Sequence, residues 1–127
     1  TKKKYYLFIV TNQAGIGKKI FSEKSFFFLH KQIKEQLAKK NIYINDVQYS
    51  PFHPEAKIKR FKKVSSLRKP GNRMIENIKS SWDLNFKKSF MIGDKITDEK
   101  AAKKSNLKFF YSERNFFLQI KKITNNY

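Results

Sequence analysis

Apolar and polar positions along the chain first mark a short strand. Tyr5 to Thr11, YYLFIVT, is apolar at successive positions, the pattern of a strand covered on both faces in a parallel sheet. Asn12 to Gly17, NQAGIG, reads as a turn whose two glycines permit backbone conformations that other residues avoid. From Ser22 to about Lys40, Phe26, Phe27, Leu29, Ile33 and Leu37 recur mostly at helical spacing among Lys and Gln. Ser22 stands where it can cap that helix. Ile42 to Tyr49 predicts a second strand, with Ile42, Ile44 and Val47 alternating imperfectly with polar residues.

The pattern then breaks. Residues 50–69 are Lys-rich, hold Pro51 and Pro54, and show no period. A loop of that length inside a compact domain is usually functional or mobile. Pro70 sits where a helix could start, and Met74, Ile75, Ile78 and Trp82 form its apolar stripe. Ser89 to Ile92 predicts a buried strand ending at Gly93 and Asp94, and Thr97 can cap a helix to about Ser105. Leu107 to Tyr111 predicts a strand, and Phe116, Phe117, Ile120 and Ile123 the apolar face of a last helix.

Strands alternating with helices imply an α/β fold, a parallel sheet with helices on both faces. Ligands of such sheets collect at the carboxyl ends of strands. No repeat and no linker interrupts the 127 residues, which read as one domain.

Composition narrows the chemistry. There is no cysteine, which excludes disulfides, a thiolate nucleophile and sulfur-ligated zinc. The longest apolar run, Tyr5 to Val10, is far short of the ~20 residues of a spanning helix. The expectation is a soluble, cytoplasmic, monomeric protein. The net charge of +19 raises a nucleic-acid reading. However, 25 of the 29 basic residues are Lys, and Lys, Asn, Ile, Phe and Tyr fill 67 of 127 positions. Those five residues share A/T-rich codons, and groove readers favour the planar fork of Arg. Base composition and attraction to small anions account for the charge better than a nucleic-acid partner.

Three polar clusters fall at strand ends or helix starts. Thr11 and Asn12, followed by Gln13, Gly15 and Gly17, combine a hydroxyl, amides and exposed N–H groups that suit phosphate oxygens. An ordinary strand-to-helix turn would use the same residue types. Arg68 and Lys69 precede Pro70-Gly71 beside a predicted helix N-terminus, where the macrodipole disfavours cations unless an anion binds. Two solvated charges would look the same. Asp94, Lys95 and Asp98 follow the strand Phe90-Met91-Ile92, and a carboxylate there suits Mg2+, which takes one or two carboxylates with phosphate oxygens and water. Asp98 could equally stabilise the next helix N-terminus.

Taken together and in order, these clusters resemble the haloacid dehalogenase-like phosphatases. VTNQAGIG, from Val10 to Gly17, looks like that superfamily's second motif, RKPG from Arg68 like the third, and MIGDKITD from Met91 to Asp98 like the fourth. With SPFHPE from Ser50, the set most resembles the D-glycero-D-manno-heptose 1,7-bisphosphate phosphatases and related histidinol phosphatases, over Val10 to Tyr111. The resemblance implies a Rossmann-like three-layer α/β/α fold and Mg2+-dependent hydrolysis of a small phosphorylated sugar or metabolite. By it, Thr11 and Asn12 would bind the transferring phosphoryl group and Lys69 would neutralise its charge. Arg68 and Lys95 would contact substrate, Asp94 would bind Mg2+, and Asp98 would support the loop. Two other readings stay open: a polynucleotide 3′-phosphatase of the same superfamily, and a non-catalytic phosphate-binding module.

The chain departs from the family pattern twice. Relatives often hold zinc in the long loop through Cys and His, but the matching positions here are Ser50, Phe52, Ser65 and Leu67, so no zinc is expected. The loop is expected to pack through Tyr49, Phe52 and Phe61, with His53 a packing residue of the loop and not a catalyst. The family's first motif, Asp-x-Asp on a central first strand, supplies the nucleophile, and the four Asp of this sequence, at 46, 83, 94 and 98, form no such pair. The expectation is the C-terminal portion of a phosphatase, lacking its central strand, inactive as it stands and of low stability because strand edges would be left open.

Overall fold

The computed structural model describes residues 5–125. They fall into two compact units that divide between Arg68 and Lys69, at the end of the long loop.

The first unit contains strand β1 (Phe8–Asn12), a one-turn helix α1 (Ala14–Gly17), helix α2 (Glu23–Ala38) and strand β2 (Asp46–Ser50), followed by the loop. β1 and β2 pair in parallel, with Phe8 opposite Asp46 and Asn12 opposite Ser50. Ser22 caps α2 as its position predicts, its hydroxyl accepting from the Ser25 amide at 3.1 Å. β2 is shorter than the periodicity implies, because Ile42 and Ile44 lie before it.

Residues 12–17 are not the open turn the glycines suggest. They are mostly helical, and no described glycine has a positive φ. Gly17 is required by space instead. A Cβ there would run into the Pro51 carbonyl and stand 3.0 Å from the Ala56 methyl and 3.3 Å from the Phe61 Cβ. The Gly17 carbonyl in turn accepts from the amides of Lys57 and Ile58 at 2.8 and 2.9 Å.

This close approach is how the 50–69 loop is ordered without regular structure. Ile16, Phe26, Ala56 and Phe61 form a buried cluster, with Val47, Tyr49, Phe52 and Ile58 packed against it. Phe52 and Phe61 meet edge-on at 5.6 Å. His53 acts through its backbone as well as its ring: its amide donates to the Phe61 carbonyl at 3.0 Å and its Nδ1 accepts from the Glu55 amide at 3.0 Å. Two hydroxyls, a phenyl ring and an isobutyl group at Ser50, Ser65, Phe52 and Leu67 do not make a zinc donor set.

The second unit contains helix α3 (Arg73–Ser81), strand β3 (Phe90–Gly93), helix α4 (Ile96–Lys104), strand β4 (Lys108–Tyr111) and helix α5 (Phe116–Thr124). β3 and β4 are parallel, with Phe90 opposite Lys108 and Gly93 opposite Tyr111. Met74, Ile75 and Ile78 of α3 are buried, as their spacing predicts. The helix itself begins three residues beyond Pro70, with Asn72 at its cap and the Asn72 carbonyl accepting from the Glu76 amide at 3.0 Å.

The parallel pairing and the order of elements agree with the α/β expectation, but two details of burial differ. Every residue of β1 and β3 is only half-buried. Each sheet has two strands among the described residues, so a strand read as covered on both faces keeps accessible surface. In α5, Ile123 and Gln119 face inward whereas Phe116 and Phe117 are 51% and 77% exposed. The helix turns its first-turn aromatics outward because Gln119 is held, its amide bonding the Tyr111 carbonyl at 2.7 Å and the Glu113 N–H at 2.9 Å. No described helix is long and apolar enough to cross a membrane.

The Gly17 contact yields a direct expectation. Gly17→Ala should lower stability by about 1–3 kcal/mol, since backbone rather than a flexible side chain blocks the new methyl. Gly15→Ala faces only the ring of Phe21, a surface side chain, and should cost less. Urea unfolding of the two variants checks the order.

Candidate active site

Four of the seven residues singled out in the sequence belong to the second unit: Lys69, Asp94, Lys95 and Asp98. The structure brings them together through Asp98. The Lys69 ammonium meets Asp98 Oδ1 at 2.6 Å, and both side chains are nearly buried, at 11% and 6% exposure. The other carboxylate oxygen, Oδ2, accepts from the amides of Lys95 at 3.1 Å and Asp94 at 3.2 Å.

The sequence explains the placement. Asp98 is the third residue of α4, from which a carboxylate reaches back to the cap residue's amide. The cap is therefore Lys95, and Thr97, which the sequence suggested for that role, lies within the first turn. Asp98 does both things left open for it: it closes the helix N-terminus and supports the loop that carries Asp94.

Gly93, the residue before that loop, has no room for a side chain. A Cβ there would lie 2.5 Å from Asp98 Oδ2 and 2.7 Å from its Cβ. The strand end must be glycine for the carboxylate to reach the two amides.

Lys69 is held at both ends of its segment. Beyond Pro70 and Gly71, the Asn72 side chain donates to the hydroxyl of Ser105 at 3.0 Å, and Ser105 is the buried C-cap of α4. Ser105 also bonds Glu76 at 3.4 Å. The Lys69–Asn72 stretch thus spans α4 from its first turn to its last. The cation expected to sit unfavourably at the start of α3 is instead compensated by Asp98, and α3 starts later.

Burial pushes the Asp98 carboxyl up, yet the Lys69 hydrogen bond, its positive charge and the Lys95 and Asp94 amides together hold it below its ordinary value. Asp94 and Lys95 are exposed, and the Asp94 carboxylate makes no hydrogen bond or ion pair among the described residues. No group of three or more His, Cys, Asp or Glu gathers there to hold a metal unaided. A lone, unengaged carboxylate at a strand end does fit an ion that takes most of its ligands from water and phosphate.

The other three residues lie in the first unit. Thr11 and Asn12 end β1, and the Gln13 side chain donates to the Thr11 hydroxyl at 3.0 Å. That bond occupies one lone pair and leaves the Thr11 O–H to donate elsewhere. Gln13 is tied in turn, its amide donating to the Ser50 carbonyl at 2.7 Å. Arg68 ends the loop, and its Nη1 is buried without a hydrogen bond among the described residues. The Gln13 and Gly93 contributions were not evident beforehand; residue type alone does not say that an amide will orient a hydroxyl or that a carboxylate will need the space of a Cβ.

Residues 55–111 match the family model described as haloacid dehalogenase-like hydrolase. The fold also matches a solved structure of D,D-heptose 1,7-bisphosphate phosphatase from B. bronchiseptica complexed with magnesium and phosphate. The TM-score is 0.72 at 18% identity, over 92% of this chain and 62% of that one. The segment that matches the family model takes in 57 of the 127 residues and carries both the glycine-aspartate strand end at Gly93-Asp94 and the Asp98 that pairs with Lys69.

Its relatives are more particular. The chain is 35% identical over 109 residues to the D-glycero-beta-D-manno-heptose-1,7-bisphosphate 7-phosphatase of Rhodopseudomonas palustris, covering 86% of this chain and 61% of that protein. It is 40% identical over 98 residues to the D-glycero-alpha-D-manno-heptose-1,7-bisphosphate 7-phosphatase of Burkholderia mallei, covering 77% and 52%. The chain therefore spans about half to three-fifths of the length of these relatives.

The ion pair fixes a pH dependence. Because the folded carboxyl of Asp98 is depressed, its stabilisation is complete above the unfolded value and is lost as pH falls through the folded one. Asp98→Asn should remove that acid-side loss and lower stability at neutral pH by about 3–5 kcal/mol, since it removes the carboxylate that compensates a nearly buried ammonium. Denaturation midpoints of the two proteins across the acidic range provide the check.

Proposed function

We propose that this chain is the phosphate- and metal-binding part of a cytoplasmic, Mg2+-dependent phosphatase of a small sugar phosphate, D-glycero-D-manno-heptose 1,7-bisphosphate. The observation that carries the reading is the Asp98 hub. It neutralises Lys69, holds two amides of the Asp94 loop, and leaves the Asp94 carboxylate exposed and unengaged. Support for the substrate comes from relatives, named 7-phosphatases of that bisphosphate, at 35% and 40% identity.

Within this reading each group has a role set by its chemistry. The Thr11 hydroxyl, oriented by Gln13, and Asn12 donate to phosphoryl oxygens. The Lys69 ammonium, positioned by Asp98, meets charge as it develops on the phosphoryl group. Arg68, whose Nη1 is desolvated without a partner, is satisfied by an anion. Lys95 stands exposed beside the metal loop and contacts substrate. Mg2+, held through Asp94, would polarise the phosphoryl oxygens. Phosphoryl transfer asks mainly for such positioning and charge stabilisation.

The reaction also needs a nucleophile. No Asp-x-Asp pair occurs in these 127 residues, so the reading assigns turnover to a polypeptide in which such a pair is supplied ahead of β1. A second reading, a module that binds phosphate without hydrolysing it, would use the same Asp98 hub and Asp94 carboxylate.

The test begins with the coding sequence that adjoins this chain and the protein it encodes, assayed for phosphate release from the heptose bisphosphate. Mg2+-dependent release is expected only where an Asp-x-Asp precedes β1, and Asp94→Asn should slow it by about 10²–10³-fold. Phosphate binding without release by the complete protein would replace the enzyme reading with the second one.

A further inference from the structure

A cavity of about 350 Å3 opens in the first unit between α2 and β2, and none of the residues discussed above as phosphate or metal ligands lines it. Its apolar wall includes Phe26, Phe27, Val47 and the ring of Tyr49. Phe27 meets Tyr49 edge-on at 5.4 Å and Phe26 lies 4.8 Å from the same ring. The Tyr49 hydroxyl is itself tied to Glu23, so the ring is fixed at its far end. Packed aromatics of this kind form a stiff surface for another ring.

The polar part of the cavity carries both signs of charge. Lys31 and Lys34 of α2 supply two ammonium groups, and Glu35 and Asp46 supply two carboxylates. The side chains of Lys31, Lys34 and Glu35 make no hydrogen bond or ion pair among the described residues, and each is exposed. Asp46 is held in place, its oxygens accepting from the Val47 amide at 2.8 Å and the Gln48 side chain at 3.0 Å. A carboxylate has lone pairs to spare beyond those two bonds.

His30 also lines the cavity. Its ring lies 4.3 Å from that of Phe26 at a tilt of 40°, and its Nδ1 is buried with no hydrogen-bond partner among the described residues. Burial, with Lys34 nearby, pushes its pKa below the ordinary value, so the ring is neutral at pH 7. A buried N–H without an acceptor is rarer and costlier than an unsatisfied acceptor, which leaves the single proton on Nε2. That nitrogen has no hydrogen-bond partner among the described residues either.

From this cavity we infer a binding site for a small aromatic zwitterion, an α-amino acid with a ring in its side chain. The ring packs on Phe27 and Tyr49. The ligand carboxylate meets Lys31, Lys34 and the His30 N–H, and its ammonium meets Glu35 and Asp46. A zwitterion can pair its carboxylate with the lysines and its ammonium with Glu35 and Asp46, whereas an ion of one sign can use only one of the two sets. The volume lies at the small end of ligand pockets and suits one ring with a short polar end.

The test is a titration of the protein with L-phenylalanine, followed by backbone amide NMR shifts. Phenylacetate, phenethylamine and glycine serve as controls that each lack one element. Saturable shifts confined to α2 and residues 46–49 are expected, with every control weaker by at least about tenfold. Lys34→Glu, on an exposed helical position that the core does not use, should weaken phenylalanine by a similar factor. Shifts that fail to saturate, controls that bind as well as phenylalanine, or an unaffected Lys34→Glu variant would each overturn the assignment.

Discussion

The second unit is organised around one carboxylate. Asp98 compensates a nearly buried lysine with one oxygen and two backbone amides with the other. A buried ion pair by itself is weak evidence for stability, because desolvation offsets most of the attraction. Its value here is positional. With both oxygens committed, the carboxylate fixes where Lys69 sits, where α4 begins and how the strand end at Gly93 turns toward Asp94. Removing any one of these leaves the others without a reason for their geometry.

Much of this was legible in the chain, and the pattern of what was not is instructive. Ser22 before an apolar period, Met74-Ile75-Ile78 at helical spacing, and Phe90-Met91-Ile92 before Gly93-Asp94 all read correctly, because each signal is local. Lys69, Asp94, Lys95 and Asp98 stand out in the sequence as well, with a supporting role for Asp98. The link between Lys69 and Asp98 was not foreseen, since 29 positions separate them and nothing in either segment names the other. A cation before a helix looks uncompensated when only its chain neighbours are known, and its anion lies on α4.

The glycines make the same point. A glycine suggests a permissive φ when only its neighbours are known. Gly17 and Gly93 have ordinary backbone angles and are fixed by what approaches them, the Pro51 carbonyl in one case and the Asp98 side chain in the other. Likewise, Phe116 and Phe117 had the right spacing for an inward face. The hydrogen bonds of Gln119 decided the rotation of α5, and a polar anchor of that kind leaves no periodic trace.

The Gly17 carbonyl has a wider meaning. By accepting the amides of Lys57 and Ile58 it joins the turn after β1 to the loop after β2, two segments otherwise separated by a helix and a strand. The stretch from Pro51 to Phe61 is consequently held against α1 at Pro51, at Ala56 to Ile58 and at Phe61, whereas no backbone hydrogen bond joins residues 62–67 to α1 among the described residues. Length changes during divergence or engineering would be absorbed in the second half of the loop, while even a one-residue change in the first half would shift Gln13 and, through it, the hydroxyl of Thr11.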